Sequence, residues 1–250
     1  MEKFEGEKLE INKEKEAEIE APEFNIVDFE ATKYYFANLA KQLTSAIRNH
    51  EYNLVIGDDA SGRIPTLVIG GLMKEVYRED KANPPHILFL TGKSLLKKEE
   101  QADLDSYLHT IIKQQGINSE NSKILLVTEY IEGGRHVANF IDAFKRVGLS
   151  CDVATLLTRK SPEYYRDSPD FKDVKTHIGD SRSRGILAFL QRPGLSGVTK
   201  PRSGIFAMRS KLNDSQYIKQ VRESDVKKMV DYLKQIYDRE KEKLEKQDSV

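Results

Sequence analysis

The sequence predicts an α/β fold in which a parallel sheet of about five strands carries helices on both faces. An N-terminal arm precedes this core, and a C-terminal helix follows it. Two observations lead to this prediction. Short apolar runs alternate along the chain with longer segments whose apolar residues recur at helical spacing. The short runs are apolar throughout, which is typical of strands that are buried on both faces of a parallel sheet.

The elements can be placed in order along the chain. Helical spacing predicts helices over residues 27–47 and 64–77, a third helix that ends near Gln115 and a fourth that ends near Gly148. The apolar runs predict strands at residues 53–57, 86–90, 124–127, 151–157 and 174–178. This alternation favours parallel strands, because each helix returns the chain to the same end of the sheet.

Charge divides the chain into four regions. The whole chain has 40 basic and 40 acidic residues, so its formal net charge is zero. Residues 1–23 contain nine acids and four lysines, which predicts a charged, flexible N-terminal arm. Residues 24–180 form the predicted core, and residues 181–222 form a basic segment rich in glycine and arginine. Residues 223–250 are predicted to contain a charged helix.

The C-terminal helix has one apolar stripe, and this stripe allows two roles. Its residues recur at helical spacing and end before the last turns. They are Val226, Met229, Val230, Leu233, Ile236 and Tyr237. Such a stripe either docks on the core of the same chain or pairs with a second copy to form a homodimer.

Composition indicates a cytoplasmic protein. Cys151 is the only cysteine, which excludes an intrachain disulfide and a zinc site built from cysteines. The first residues lack the apolar centre of a signal peptide. The longest apolar run, at residues 67–73, is too short to cross a bilayer. We therefore expect a reducing, cytoplasmic location without membrane contact.

Three polar loops that contain glycine follow three of the predicted strands. They lie at residues 58–63, 91–94 and 128–136. In open α/β sheets ligands bind at the carboxyl ends of the strands. Backbone N–H groups in glycine loops and at helix N-termini bind anions. Three such loops at strand ends predict a ligand with more than one phosphate.

Strand 124–127 and the loop after it resemble the phosphoribosyl pyrophosphate signature of type I phosphoribosyltransferases. In that family an apolar strand leads into acids and then into a Thr-Gly-x-Thr turn. The matching residues are Thr128, Glu129, Glu132, Gly133, Gly134, Arg135 and His136. The loop after the first strand resembles the family's pyrophosphate loop through Ala60, Ser61, Gly62 and Arg63. Lys93 is similar to a basic residue that meets the pyrophosphate in some members, and the resemblance covers roughly residues 50–160.

The resemblance implies a ligand, a cofactor and a reaction. The ligand would be phosphoribosyl pyrophosphate or a nucleotide, and the cofactor would be Mg²⁺. The reaction would transfer phosphoribosyl to a nucleobase or related nitrogen acceptor, within nucleotide metabolism. While ribose C1 gains oxocarbenium character, Mg²⁺ and the 61–63 loop would offset the charge of the leaving pyrophosphate.

The resemblance also implies roles for individual residues. Glu129 and Glu132 would be catalytic, since Glu129 would hold the ribose together with Thr128 and Glu132 would accept a proton from the acceptor. Phosphate and pyrophosphate would be bound by Ala60, Ser61, Gly62, Arg63, Lys93, Gly133, Gly134, Arg135 and His136.

Departures from the signature leave a second interpretation open. The family has two adjacent acids, whereas this chain has Thr128 at the first position and an acid only at Glu129. Gly133 and His136 stand where the family has hydroxyl residues. A single carboxylate binds a ribose diol or hydrated Mg²⁺ less tightly than a pair. The chain is therefore either a phosphoribosyltransferase or a non-catalytic regulator that senses a nucleotide on the same fold.

Simpler structural roles also fit several of these residues. Asp58 and Asp59 fit the cap of the following helix. Gly133 and Gly134 fit a tight turn, and His136 fits a solvated histidine in a first helical turn. The sequence contains no Walker loop, Gly-x-Gly-x-x-Gly, His-Glu-x-x-His or Gly-x-Ser-x-Gly motif.

The segment 175–211 is strongly basic, with eight lysines or arginines and one aspartate. Three interpretations are open for it. In the resembled family, residues outside the core form a hood that recognises the acceptor. A basic surface of this kind also binds RNA, with affinity that falls steeply as salt rises. The third interpretation is a solvated loop.

Overall fold

The computed structural model describes residues 19–58, 62–90, 98–117, 122–181, 198–199, 208–209 and 216–249. Five parallel strands form the central sheet, in the order β2-β1-β3-β4-β5. Their bounds are Tyr52–Asp58 (β1), His86–Leu90 (β2), Lys123–Ile131 (β3), Ser150–Thr158 (β4) and Thr176–Ser181 (β5). A short antiparallel pair follows, Val198–Thr199 (β6) and Met208–Arg209 (β7).

Helices cover both faces of the sheet, which confirms the predicted α/β class. They are Val27–Arg48 (α1), Arg63–Glu79 (α2), Lys98–Gln114 (α3), Arg135–Arg146 (α4), Pro162–Asp167 (α5) and Gln216–Asp248 (α6), with a 3-10 turn at Pro169–Phe171. One apolar cluster lies between the sheet and α1, α2 and α6. A second lies between the sheet and α3 and α4.

The two clusters account for the strand patterns in the sequence. Leu125 and Val127 of β3 belong to the first cluster, and Ile124 and Leu126 belong to the second. Successive side chains of a strand point to opposite faces, so a strand covered on both faces must be apolar at every position. Phe144 is an example of the covering side chains, since it is fully buried. Burial of one such side chain stabilises the fold by about 1.5–3 kcal/mol.

Side chains of helix α1 form hydrogen bonds with the backbone of the edge strand β5. The Gln42 side chain donates to Ile178 O at 2.8 Å and accepts from Ile178 N at 3.2 Å. Asn38 Nδ2 donates to Gly179 O at 3.0 Å. An edge strand otherwise presents unpaired backbone groups to other chains. Two amide side chains of α1 therefore close this edge and fix β5 beside the helix.

Helix α6 packs along α1 and α2 of the same chain. Met229, Leu233 and Tyr237 of its apolar stripe are buried in the cluster on that face. Of the two roles predicted for the stripe, the structure supports docking on the core, and the predicted homodimer gains no support. The helix begins at Gln216, so the predicted boundary near residue 223 was wrong.

Buried Asp225 ties α6 to the start of α1. Asp225 Oδ2 accepts the backbone N–H of Ile26 at 2.7 Å, and Oδ1 accepts Asn25 Nδ2 at 2.8 Å. Ile26 is the N-cap residue of α1. A carboxylate near a helix N-terminus satisfies an N–H group that has no partner within the helix and interacts favourably with the helix dipole. The two helices are therefore joined by a buried polar contact as well as by apolar packing.

The largest differences from the predicted strand bounds are in β3 and β5. Strand β3 runs to Ile131 because its ladder with β4 continues through Thr128 and Tyr130. The predicted polar corner therefore begins only at Glu132. Strand β5 covers 176–181 instead of 174–178, because Val174 N still donates to Phe171 O in the preceding turn.

The two charged segments are described only in part. At the end of the predicted arm, Ile19 and Ala21 pack against the core, and the rest of that prediction concerns residues 1–18, outside the described residues. The hood and RNA interpretations of 175–211 fall largely outside them as well. Within the described residues, no helix is both long and apolar enough to cross a bilayer.

Candidate functional site

The order of the strands creates a crevice between β1 and β3. Strand β2 lies on one side of β1, whereas β3, β4 and β5 follow on the other side. The chain therefore reverses its direction across the sheet between β1 and β3. In open α/β sheets with this order, ligands bind outside the carboxyl ends of the strands at that point. Of the described residues, the ends of β1 and β3 and the starts of α2 and α4 lie at this point.

On the β1 side, Gly62 holds the start of α2 close to the sheet. Its backbone N–H donates to Asp58 O at 2.6 Å. A Cβ atom at Gly62 would lie 2.6 Å from Val127 O and 2.6 Å from Asp58 O, which no side chain can tolerate. Thr66 Oγ1 also donates to Gly62 O, at 2.7 Å. Because the Gly62 N–H already donates to Asp58 O, it is not available to a ligand. The role of Gly62 is to let α2 begin in close contact with the ends of β1 and β3.

Arg63 is the first residue of α2 and lies over the ring of Phe89 on β2. Its guanidinium carbon is 4.5 Å from the ring centroid. A cation held over an aromatic face is attracted to it by roughly 0.5–2 kcal/mol. This contact orients the Arg63 side chain at the carboxyl edge of the sheet, and the side chain stays partly exposed there.

On the β3 side, Gly134 forms the turn into α4. Its φ is 79°, a left-handed conformation that favours glycine. Gly133 precedes it and has open space around its Cα. The first N–H groups of any helix have no partner within the helix. In the described residues no side-chain bond caps α4, and uncapped N–H groups at a helix N-terminus are a common place for an anion to bind.

Aromatic side chains support this turn from beneath. A Cβ atom at Gly134 would lie 3.0 Å from the ring of Phe171. The ring of Tyr165 packs at 5.1 Å from that of Phe171, and Tyr165 OH donates to Ile131 O at 3.1 Å. Thr158 Oγ1 donates to Ile131 O at the same distance. The end of β3 is therefore fixed by buried hydrogen bonds from β4 and α5.

Thr128 and Glu129 lie within β3 and are fully buried. Sequence patterning predicted them in a loop after the strand, and that prediction was wrong. The neighbouring strand explains the difference, because Thr128 pairs with Thr155 and Thr155 Oγ1 donates to Glu129 O at 3.3 Å. The two polar residues therefore belong to the strand, and their side chains point to opposite faces of it.

Asp58 connects the two sides of the crevice. It is the last residue of β1 and is almost fully buried. Thr128 Oγ1 donates to Asp58 Oδ2 at 3.4 Å, and His136 Nε2 lies 3.4 Å from the same oxygen. Sequence reasoning gave Asp58 only a capping role. The contact joins β1, β3 and α4, and no pattern along the chain indicates it.

Glu132 lies on the surface, away from this buried cluster. Its Oε1 accepts Arg159 Nη1 at 2.7 Å, and both side chains are about two-thirds exposed. Arg135 is exposed as well. Ala60, Ser61 and Lys93 lie outside the described residues. Of the predicted site residues, the structure therefore brings together Gly62, Thr128 and His136 around Asp58, while Glu132 and Arg135 form the rim.

The described residues contain no group of three or more His, Cys, Asp or Glu side chains placed to hold a metal ion. Mg²⁺ in phosphate-binding sites is usually held by one or two carboxylates together with substrate phosphates and water. Asp58 and Glu129 are the buried carboxylates at this edge of the sheet. The residues at the crevice fit an ion that arrives with a phosphorylated ligand better than a dedicated protein cage.

A second polar cluster lies at the other end of the strands, where β1, β3, β4 and β5 begin. Asp152 Oδ2 accepts Tyr52 OH at 2.7 Å and lies 2.7 Å from Lys123 Nζ. His177 Nε2 lies 4.0 Å from the same oxygen. Burial, followed by the charge of Lys175, lowers the pKa of His177 to about 4. These residues lie toward the amino ends of the strands, away from the carboxyl ends where ligands bind. We therefore assign the cluster a role in stabilising the fold and not in binding a ligand.

Comparison with known proteins gives likenesses in structure alone. No protein-family model matches the sequence, and no curated protein matches it. Among solved structures, the chain is similar to a hypoxanthine phosphoribosyltransferase from Staphylococcus aureus, with a TM-score of 0.33 and 16% sequence identity. The match covers 64% of this chain and 82% of that protein.

Proposed function

We propose that this chain binds phosphoribosyl pyrophosphate or a nucleotide in the crevice between β1 and β3. One observation carries the proposal. The glycine turn into α4, the start of α2 and a buried acid meet at the point where the sheet order reverses. A phosphate group, a ribose and a second anionic group are the ligand features that this arrangement suits.

The phosphate of the ribose lies, in this proposal, at the N–H groups of the first turn of α4. The left-handed turn at Gly134 connects the end of β3 to this helix. Their positive partial charge attracts phosphate whatever the side chains are. His136 stands in the same helical turn and adds a ring nitrogen. The replacement of hydroxyl residues by Gly133 and His136 therefore leaves these backbone N–H groups in place.

The ribose hydroxyls are held, in this proposal, by carboxylates from the carboxyl ends of β1 and β3. Glu129 supplies one of them. Asp58 supplies the other, because Thr128 contacts Asp58 Oδ2 directly. A carboxylate on β1 thus stands beside the position where the resembled family has its first acid on β3. Carboxylates accept hydrogen bonds from hydroxyl groups at about 1.5–3 kcal/mol each.

We also propose that the bound ligand undergoes phosphoribosyl transfer. The bond from ribose C1 to the pyrophosphate oxygen breaks, and a bond from C1 to the acceptor nitrogen forms. Pyrophosphate leaves with the bonding electron pair, and the acceptor nitrogen loses a proton to a base such as Glu132. When bound, Mg²⁺ would neutralise charge on the pyrophosphate, and Asp58 and Glu129 are the carboxylates that would hold the ion. Arg63 would meet the same leaving group.

One observation favours the alternative of a non-catalytic sensor. The proposed base, Glu132, is exposed and pairs with Arg159 at 2.7 Å. A general base must lie within hydrogen-bond reach of the proton that it accepts, and Glu132 is instead directed to a surface ion pair. Binding of the ligand without turnover therefore accounts for the geometry as well, and the two functions differ in whether pyrophosphate is released.

Calorimetry with phosphoribosyl pyrophosphate and Mg²⁺ tests the binding proposal. We expect Glu129→Gln to weaken binding by tenfold or more, since a charge-assisted hydrogen bond is worth about 1.5–3 kcal/mol. Glu245→Gln, an exposed change near the end of α6, is the matched control and should bind as the wild type does. A wild-type protein that binds neither phosphoribosyl pyrophosphate nor a nucleotide at millimolar concentration would refute the proposal.

Turnover is tested separately. The protein is incubated with phosphoribosyl pyrophosphate, Mg²⁺ and a panel of nucleobases, and released pyrophosphate is measured. Release that depends on one base supports the transferase. Tight binding without release under any of these conditions supports the sensor.

A further inference from the structure

A groove of about 440 Å³ runs between α2 and α6. Leu67, Val226 and Val230 give it an apolar floor. Arg63 and Arg222 both line it, one from each helix. Arg63 is also the residue that lies at the start of α2, so the groove and the crevice share this side chain.

The two arginines are close enough to influence each other. The pKa of the Arg222 guanidinium is lowered, first by burial and then by the charge of Arg63, while Glu223 opposes the shift. Arg63 is held in place by the ring of Phe89. Two guanidinium groups that are partly removed from water repel each other. Both side chains line the groove, and each can donate hydrogen bonds to an anion held there.

Helix α6 holds Arg222 rigidly. Three residues further along, Asp225 accepts the backbone N–H of Ile26 at 2.7 Å. On the α2 side, a Cβ atom at Gly71 would lie 2.8 Å from Val230 Cγ2, so the helices approach as closely as glycine allows. A side chain on such a fixed helix loses little freedom when it binds a ligand.

We propose that Arg222 binds the terminal phosphate of the ligand together with Arg63. This inference rests on the proposed function, and it assigns the C-terminal helix a part in the site. The ligand class it selects is one with a pyrophosphate or a terminal phosphate, in preference to one with a single phosphate on the ribose. Guanidinium groups bind phosphate oxygens in pairs of parallel hydrogen bonds, a geometry that lysine does not offer.

The charges around the groove agree with this role. Lys227 adds a third cation, and Glu75 and Glu223 are the acids on its lining. Burial, with the charges of Asp231 and Glu79, raises the pKa of Glu75. Cations thus outnumber acids along the groove. The two arginines lie on opposite walls of it, Arg63 on α2 and Arg222 on α6.

Binding measurements on two ligands test the inference in the full-length protein. Arg222→Ala should weaken phosphoribosyl pyrophosphate binding by at least tenfold, because a charge-assisted contact is lost. Binding of ribose 5-phosphate, which lacks the pyrophosphate, should change by less than about twofold. Lys219→Ala, which removes an exposed cation one turn earlier on α6, is the control and should leave both affinities unchanged.

The outcomes separate this inference from the proposed function. A wild-type protein that binds neither ligand refutes the proposed function and this inference with it. A wild-type protein that binds phosphoribosyl pyrophosphate, together with an Arg222→Ala variant of equal affinity, refutes this inference alone. Equal losses for both ligands also refute it, since they indicate a general disturbance of the fold. Arg222→Lys keeps the charge and the helix, and we expect it to recover only part of the affinity.

Discussion

Acid should destabilise this protein through one buried histidine. His177 lies on β5 and is 1% exposed. Its pKa is lowered from 6.5 to about 4 by burial, then by the charge of Lys175, and Lys123 acts in the same direction. Asp152 opposes the shift. The perturbation is a change from pH 7 to pH 5, which protonates this side chain in the unfolded chain and leaves it largely neutral in the folded one.

The sign and size follow from proton linkage. Because the folded pKa lies below the unfolded one, the unfolded state binds more protons at acid pH and gains stability from them. The contribution of His177 to stability is full above about pH 6.5 and is lost as the pH falls toward 4. Each pH unit is worth about 1.4 kcal/mol. The free energy of unfolding should therefore fall by about 2 kcal/mol at pH 5 and by about 3 kcal/mol over the whole window.

Urea unfolding at pH 7 and pH 5 measures the effect. The wild-type loss of stability between these pH values should exceed that of His177→Gln by about 2 kcal/mol. Comparing the two pH values within each variant removes the cost of the substitution itself. His109→Gln is the control, since His109 is exposed on α3, and it should lose as much stability as the wild type. An equal loss in the wild type and in His177→Gln would show that His177 is not responsible.

Two further substitutions test contacts that position the site. Gly134→Ala should lower the free energy of unfolding by about 1–2 kcal/mol, because a left-handed φ of 79° and the Phe171 ring both oppose a side chain there. Gly133→Ala, in open space, is its control, and equal effects of the two changes in thermal unfolding would contradict the reasoning. Asp225→Ala should cost about 1–3 kcal/mol, since it leaves the N–H of Ile26 without its buried acceptor. Its control is Ser224→Ala at the adjacent exposed position, and urea midpoints that coincide with the wild type would exclude the proposed cap.

The pattern of apolar residues in the sequence predicts most helices and strands of the core, because burial on the sheet determines that pattern. Strand β2 has the predicted bounds, and α1 differs from the prediction at its last residue only. These segments alternate cleanly between buried runs and helical spacing, and local patterning is sufficient for them. The order of the strands in the sheet was not predicted, because it depends on pairing between segments far apart in the chain.

The errors fall where polar residues are buried. Thr128 and Glu129 interrupt the apolar run of β3, and patterning therefore ended the strand too early. Their burial depends on pairing with β4 and on the hydrogen bond from Thr155, which are contacts between residues far apart in the chain. The start of α6 was placed too late although the first turns of the helix contain Tyr217, Ile218 and Val221, because the apolar stripe was followed back only as far as Val226.

Two of the departures from the resembled signature, those at Thr128 and His136, are linked in space. Thr128 replaces an acid, and His136 replaces a hydroxyl residue; in the sequence they look like two separate losses. In the structure both side chains contact the same oxygen, Asp58 Oδ2, each at 3.4 Å. Had an acid remained at 128, it would lie against the Asp58 carboxylate, and two carboxylates in contact cannot both stay ionised at low cost. A threonine and a histidine there are therefore what a carboxylate on β1 requires, which is why we place the second carboxylate of the site on Asp58.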